Sequence, residues 1–315
     1  MGKIKKKKKV SPRRQQVRNN IATERFTRLA AIVNSPYPMA VLFLLLFIAA
    51  GTITLGIDTA GEEFYLRGIR HLKPWYQLVS LGVVVGLISL GGALYIHHYQ
   101  PRIIARKSRM AALGILFWVF LAITRIFSLF EGWSYLVVGT AVTCAIILTI
   151  TYDQRFAIGM TLFYAVLACF AVRIRESAPI FVFEIFLTMM AGSVCCCFSL
   201  HEIRTRKKLI EVSLLVTIVV FLTVTALEII QGMPYRQFLY HAGFAAGSAF
   251  IAGIFIQAFL PIIEQAFGIA TSMTLLDYSD ANQPLLRKLA MDAPGTFSHS
   301  LLIGSIAESA AEAIG

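Results

Sequence analysis

The chain has 315 residues, is 57% hydrophobic and carries a formal net charge of +12. Repeated apolar runs of about 20 residues exclude a purely water-soluble domain and mark a polytopic membrane protein. The positive charge sits in loops and in an N-terminal stretch without interleaved aromatic rings, so a nucleic-acid polymer is excluded as the partner.

Residues 1–36 form a basic tail, with lysines from Lys3 to Lys9 and then Arg13, Arg14, Arg18, Arg25 and Arg28. Such a segment enforces topology or meets anionic lipid. Its length ahead of the first apolar run argues against a cleaved signal peptide and for a signal anchor at 37–57. Lys6 stands where a myristoylation signal needs Ser or Thr, so lipidation is not indicated.

Eight runs are long enough to cross the hydrocarbon core: Met39–Ile57, Tyr76–Ile96, Met110–Phe130, Trp133–Ile150, Phe156–Val172, Ile180–Leu200, Leu209–Ile230 and Phe238–Ile262. In lipid each must be helical, because backbone groups have no water to bond to. The fold class is therefore all-α, a polytopic helical bundle. With the N-terminus inside, segments 1–36, 97–109, 151–155, 201–208 and 263–315 hold 11, 4, 1, 4 and 2 Lys and Arg residues, against six in the opposite loops. This asymmetry places both termini in the cytoplasm. Residues 58–74 form a short extracytoplasmic connection and 75–263 a seven-helix bundle. Trp75, Tyr76, Trp133 and Tyr135 fall at run edges, where amphipathic rings suit the membrane interface.

Gly82 and Gly86, and Gly243 and Gly247 with Ala249 and Gly253 beyond, have the small-residue spacing that lets helices approach closely. Cys144, Cys169, Cys195, Cys196 and Cys197 all lie inside spans, with no zinc-ligand spacing, and read as small apolar helix residues. Lys207 and Glu211 form an ordinary i,i+4 helix pair.

Arg125, Glu184, Glu228 and His241 are ionisable groups within spans, which makes them functional candidates. The charge-derived topology sets all four at similar depth in the outer leaflet. They form an outward-facing polar pocket, with Arg125 and Glu184 as its expected ion pair, or each snorkels to the nearby interface. The residues leave both open.

From Glu264 the chain turns amphipathic. Asp277–Asp280 reads as a turn, Pro284 as the first turn of a helix, and Thr296 as the cap of the next. That last helix carries His299 beside the stripe Leu302, Ile306, Ala310 and Ala313. A lone histidine is structural unless partners complete a metal site, and Glu308 lies on the opposite face.

The segment Asp277-Tyr278-Ser279-Asp280-Ala281-Asn282-Gln283-Pro284-Leu285-Leu286-Arg287-Lys288-Leu289, then Ala293-Pro294-Gly295-Thr296-Phe297-Ser298-His299-Ser300, then Ala307-Glu308 and Ala310-Ala311-Glu312-Ala313-Ile314-Gly315, resembles the entry to the HD domain of the seven-transmembrane HD receptors. These are bacterial membrane phosphohydrolases of the cyclic-di-AMP phosphodiesterase type. Their one anchor helix plus seven matches the eight spans. The resemblance implies that 264–315 is a linker and the first helices of an α-helical HD domain, with His299 the first ligand of a divalent metal pair, Fe or Mn. Ser298 departs from the family's His-His-Ser, which leaves that position without its usual histidine. The His-Asp dyad would fall beyond Gly315, so the chain is expected to stop near the start of the domain and to lack most of the extracytoplasmic domain, with Leu66–Pro74 a remnant of its end. By the same resemblance the location is the bacterial cytoplasmic membrane. The partners are the lipid bilayer and a cyclic dinucleotide substrate, with homo-oligomerisation left open. The alternative is a non-enzymatic membrane sensor or transporter with a degenerate HD domain.

Overall fold

Inside a bilayer the backbone must satisfy its own hydrogen bonds, and the apolar runs do so as helices. The computed structural model describes residues 36–58, 71–130, 133–172, 179–200, 206–267, 272–280 and 282–314. The basic tail and most of the 58–74 connection, including the Leu66–His71 part of its expected remnant, lie outside the described residues or outside their described side chains. The helices are α1 (Pro36–Gly56), α2 (Trp75–Tyr99), α3 (Pro101–Ala105), α4 (Lys107–Leu129), α5 (Val137–Thr151), α6 (Gln154–Ala171), α7 (Pro179–Ser199), α8 (Arg206–Ile230), α9 (Tyr235–Phe267), α10 (Ser272–Ser279), α11 (Pro284–Asp292) and α12 (Pro294–Ile314). Among the described residues eight helices are long and apolar enough to span a membrane, and they coincide with the eight runs. The fold is an all-α, multi-pass membrane bundle. Among the described residues two-residue strands, β1 (Ile57–Asp58) and β2 (His71–Leu72), pair antiparallel and bring the ends of the connection together.

The chain divides into two compact units, residues 1–131 with 162–175, and 132–161 with 176–315. In the first, α1 packs on α2 and α4. Its core is Leu55, Val85, Leu121, Leu167 and Ala171, lined by Phe47, Ile48, Leu81 and Ile88. Polar atoms are matched at close range. Trp118 Nε1 donates to Thr54 Oγ1 at 3.1 Å, and the hydroxyls of Thr124 and Tyr164 share a hydrogen bond of 2.8 Å.

In the second unit α5 packs on α7 and α9, and α8 closes the ring by packing on both. Every residue of α5 from Val137 to Leu148 is buried, as expected of a helix that is apolar all round and sits at the centre. Small residues set its approach to α9: a Cβ on Gly139 would lie 2.8 Å from the backbone oxygen of Ser248. Gly253 faces Ser213 of α8 in the same way. Gly243 and Gly247, which the sequence spacing singled out, have nothing among the described residues within 4 Å of their Cβ positions. Among those residues they do not mediate a close approach. The reason is rotational phase, since a four-residue spacing marks a face but not which neighbour lies on it.

At 33 residues α9 is roughly 50 Å long, well beyond the roughly 30 Å hydrocarbon core, and it continues past the apolar run despite Pro261 within it. Beyond its end Thr274 Oγ1 of α10 donates to the Glu264 carboxylate at 2.7 Å. Two local expectations are corrected. Residues 277–279 are helical, and the turn begins at Asp280, whose Oδ1 accepts from the Asn282 amide at 2.9 Å. The last helix starts at Pro294, not after Thr296, because proline's fixed φ and missing N–H suit the first helical position. Pro284 opens α11 as expected.

Candidate functional site

Four elements of the second unit bring polar side chains to one end of its helices. A short 3-10 turn, Ser134–Leu136, leads into α5 and turns Tyr135 inward. Glu184 lies in the second turn of α7, Glu228 in the last turn of α8, and His241 near the start of α9. The end of α8 is fixed by Gly232, whose φ of +72° is left-handed. With it, the Met233 amide bonds Glu228 O and the Gly232 amide bonds Ile229 O, both at 3.0 Å, which is a Schellman closure. Gln231 is thereby held one turn beyond Glu228, where both reach the same partners.

The Tyr135 hydroxyl is 2.6 Å from Glu228 Oε1 and 3.1 Å from Glu184 Oε1. Gln231 Nε2 donates to Glu184 Oε2 at 2.9 Å. His241 Nδ1 is 2.6 Å from Glu228 Oε1, an ion pair when the imidazole is protonated. The imidazole also stacks on the Tyr135 ring, with centroids 4.5 Å apart and planes 19° apart, while Phe181 meets that ring edge-on. Both carboxylates are 2% exposed. The arrangement is a hydrogen-bonded chain, Gln231–Glu184–Tyr135–Glu228–His241, which desolvation makes costly unless each member is matched.

Sequence reasoning named three of these five. It set Tyr135 at the membrane interface with Trp75, Tyr76 and Trp133. Those three are exposed, but Tyr135 is 4% exposed and belongs to the cluster. An aromatic ring at a run edge can face lipid or bundle, and only the packing of neighbouring helices decides. Gln231 was missed, although its i+3 spacing from Glu228 places the two on one face.

Arg125 lies in the first unit. Within the second unit, Glu184 Oε2 accepts from Gln231 Nε2, and its Oε1 lies 3.1 Å from the Tyr135 hydroxyl. Arg125, 7% exposed on α4 in the first unit, donates from Nη1 to the Ala171 carbonyl at 2.9 Å and from Nη2 to the Ile57 carbonyl. Ser128 Oγ also reaches Ala171 O, at 2.8 Å. Carbonyls at helix and strand ends are natural acceptors for a buried guanidinium, whose fork of donors bridges two of them.

His299 is exposed in α12, which packs against α11 and has no buried residue. Leu302 and Ile306, on the stripe next to it, are also exposed. Among the described residues no three His, Cys, Asp or Glu side chains come together in a way that could hold a metal ion. Among the described residues His299 is therefore not part of a formed metal centre.

Comparison with known proteins places this architecture. The family model described as "7TM receptor with intracellular HD hydrolase" matches residues 75–271. The chain is similar to the cyclic-di-AMP phosphodiesterase PgpH of Bacillus subtilis, with 25% identity over 269 residues, covering 82% of this chain and 38% of that protein. It is also similar to the cyclic-di-AMP phosphodiesterase PgpH of Listeria monocytogenes, 27% identical over 171 residues, covering 54% of this chain and 23% of that one. An uncharacterised Synechocystis protein is 47% identical over 51 residues. The chain thus spans well under half the length of the curated relatives it matches. No solved structure matches it.

Proposed function

The chain belongs to the family of 7TM receptors with an intracellular HD hydrolase, and from that membership we propose that the protein is a membrane-anchored, metal-dependent phosphohydrolase of a cyclic dinucleotide. Cyclic di-AMP is the substrate, by the names of the two relatives. The observation that carries the reading is the family match across the seven spans from residue 75, followed directly by the His299 segment. The loop charges support a bacterial cytoplasmic membrane with both termini inside, the tail at 1–36, the anchor at 37–57 and the HD entry at 264–315 on the same side. The divalent metal pair would supply charge neutralisation at the phosphodiester and an activated water. His299 would be one of its ligands. Among the described residues no further ligand joins His299, so the hydrolytic step is assigned to the whole protein.

A sensor or transporter without hydrolysis is the competing reading, and the buried polar cluster is the observation that favours it. The deciding experiment is conversion of cyclic di-AMP to a linear dinucleotide by the full protein in membranes, with Mn2+ or Fe2+ and after chelation. Loss of an outer-shell partner alone costs roughly 10–100-fold, so His299→Ala is expected to cost more than about 100-fold. Hydrolysis that ignores chelation and the substitution, or no hydrolysis at all, refutes the proposal.

A further inference from the structure

We propose that the cluster of Tyr135, Glu184, Glu228, Gln231 and His241 is a binding site for a small monovalent cation, received by Oε2 of Glu228. The described hydrogen bonds of the cluster are directed at other oxygens. The Tyr135 hydroxyl has one hydrogen and lies closest to Glu228 Oε1, His241 Nδ1 faces that same oxygen, and Gln231 Nε2 is engaged by Glu184 Oε2. Oε2 of Glu228 is buried and, among the described residues, accepts no hydrogen bond. A buried carboxylate oxygen left without a partner is expensive, and more so in a low-dielectric interior.

Charge points the same way. Two carboxylates flank one hydroxyl, and among the described residues their hydrogen-bond partners include no lysine or arginine. The titratable groups facing Glu228 are Tyr135 from the turn before α5, Glu184 from α7 and His241 from α9. His241 alone among them can be positive, and it approaches Oε1. A positive charge of small radius at Oε2 would offset the second carboxylate.

The donor set selects the class. Carboxylate and hydroxyl oxygens are hard ligands that suit alkali ions rather than soft transition metals. The lack, among the described residues, of three converging His, Cys, Asp or Glu side chains disfavours a chelated divalent ion. Access is through His241, whose side chain is 28% exposed, at the end of the unit where α8 finishes and α9 begins. Sodium, potassium and a proton share the required chemistry. Intramembrane ionisable groups of this kind are the usual stations of ion and proton binding.

The test uses the full protein in lipid nanodiscs and reads its unfolding midpoint, so it is independent of any hydrolase activity. Chloride salts of sodium, potassium and choline are compared at one ionic strength, at acidic and alkaline pH. A ligand that binds only the folded state raises the midpoint saturably. A rise with sodium or potassium over choline at alkaline pH, lost in Glu228→Gln, assigns an alkali ion. A rise on acidification that is equal in all three salts, and lost in Glu228→Gln, assigns a proton. The exposed Glu211→Gln variant keeps the wild-type response in either case. If Glu228→Gln does not fold, the carboxylate bands of the wild-type infrared difference spectrum, sodium minus choline and acid minus alkali, give the same decision. No wild-type response to salt or pH, a response unchanged in Glu228→Gln, or carboxylate bands unmoved in both difference spectra overturns the proposal.

Discussion

Replacing Tyr135 with phenylalanine removes one oxygen atom from the buried cluster and keeps the ring that stacks on His241 and meets Phe181. The lost contacts are 2.6 Å to Glu228 Oε1 and 3.1 Å to Glu184 Oε1. Two general magnitudes compete for the estimate. Neutral hydrogen bonds between membrane helices average about 0.6 kcal/mol and reach about 1.7 kcal/mol, because the unfolded chain in the membrane finds other partners. Bonds to charged groups are worth about 1.5–3 kcal/mol. Here the acceptors are carboxylates 2% exposed, and one of the contacts is short, so the second range applies. Tyr135→Phe is expected to destabilise the protein by about 1.5–3 kcal/mol. The assay is reversible unfolding in dodecyl maltoside with increasing SDS, read by circular dichroism. Tyr240→Phe is the control: Tyr240 neighbours His241 in sequence but is exposed, and its substitution should fall within about 0.5 kcal/mol. A loss below about 0.5 kcal/mol at Tyr135, equal to the control, would show that the hydroxyl holds neither carboxylate.

The same unfolding assay checks two other sites. Arg125→Met removes two charge-assisted bonds to the Ala171 and Ile57 carbonyls, and Ser128 still serves Ala171, so a loss of about 2–4 kcal/mol is expected. An unchanged stability would mean that the guanidinium does not tie these chain ends together. Gly139→Ala places a Cβ 2.8 Å from the Ser248 backbone oxygen, which cannot swing aside, and should cost about 1–3 kcal/mol. Gly247→Ala meets open space and should be neutral or stabilising by up to about 1 kcal/mol. The opposite order of these two effects would refute the assigned helix contacts.

The spans were legible because the rule that makes them is one-dimensional: an apolar stretch of sufficient length must be helical in lipid. Even so, α9 outran its apolar run, from Ile262 to Phe267, because a helix ends where its hydrogen bonds end, not where hydrophobicity does. Azimuth was not legible. Depth along the membrane normal follows from counting residues, and it placed Glu184, Glu228 and His241 at one level. Which way a side chain points at that level depends on the rotation of each helix against its neighbours. Tyr135 met that limit, as an apparent interface ring that is buried beside two glutamates and a histidine. The glycines tell the same story, since Gly139 has no partner at four-residue spacing and yet makes the tightest backbone approach to α9.

His241 and Glu264 lie on one helix, 23 positions apart, which at 1.5 Å per residue is roughly 35 Å. The polar cluster is therefore attached to the same rigid element whose far end holds Thr274 and leads to α10, α11 and α12. A helix transmits a shift along its axis far better than a loop does, and Pro261 removes one backbone donor only near the far end of this one. What such a connection can transmit has a strict ceiling. A ligand at the cluster can bias the α10–α12 segment only by the difference in its affinity for two arrangements of α9, whatever its total affinity. His241 of α9 lies 2.6 Å from Glu228, so that difference can arise at this contact as well as in the packing of α8 on α9. A ligand at Glu228 that leaves both this contact and the α8–α9 packing unchanged would bind without being felt at His299.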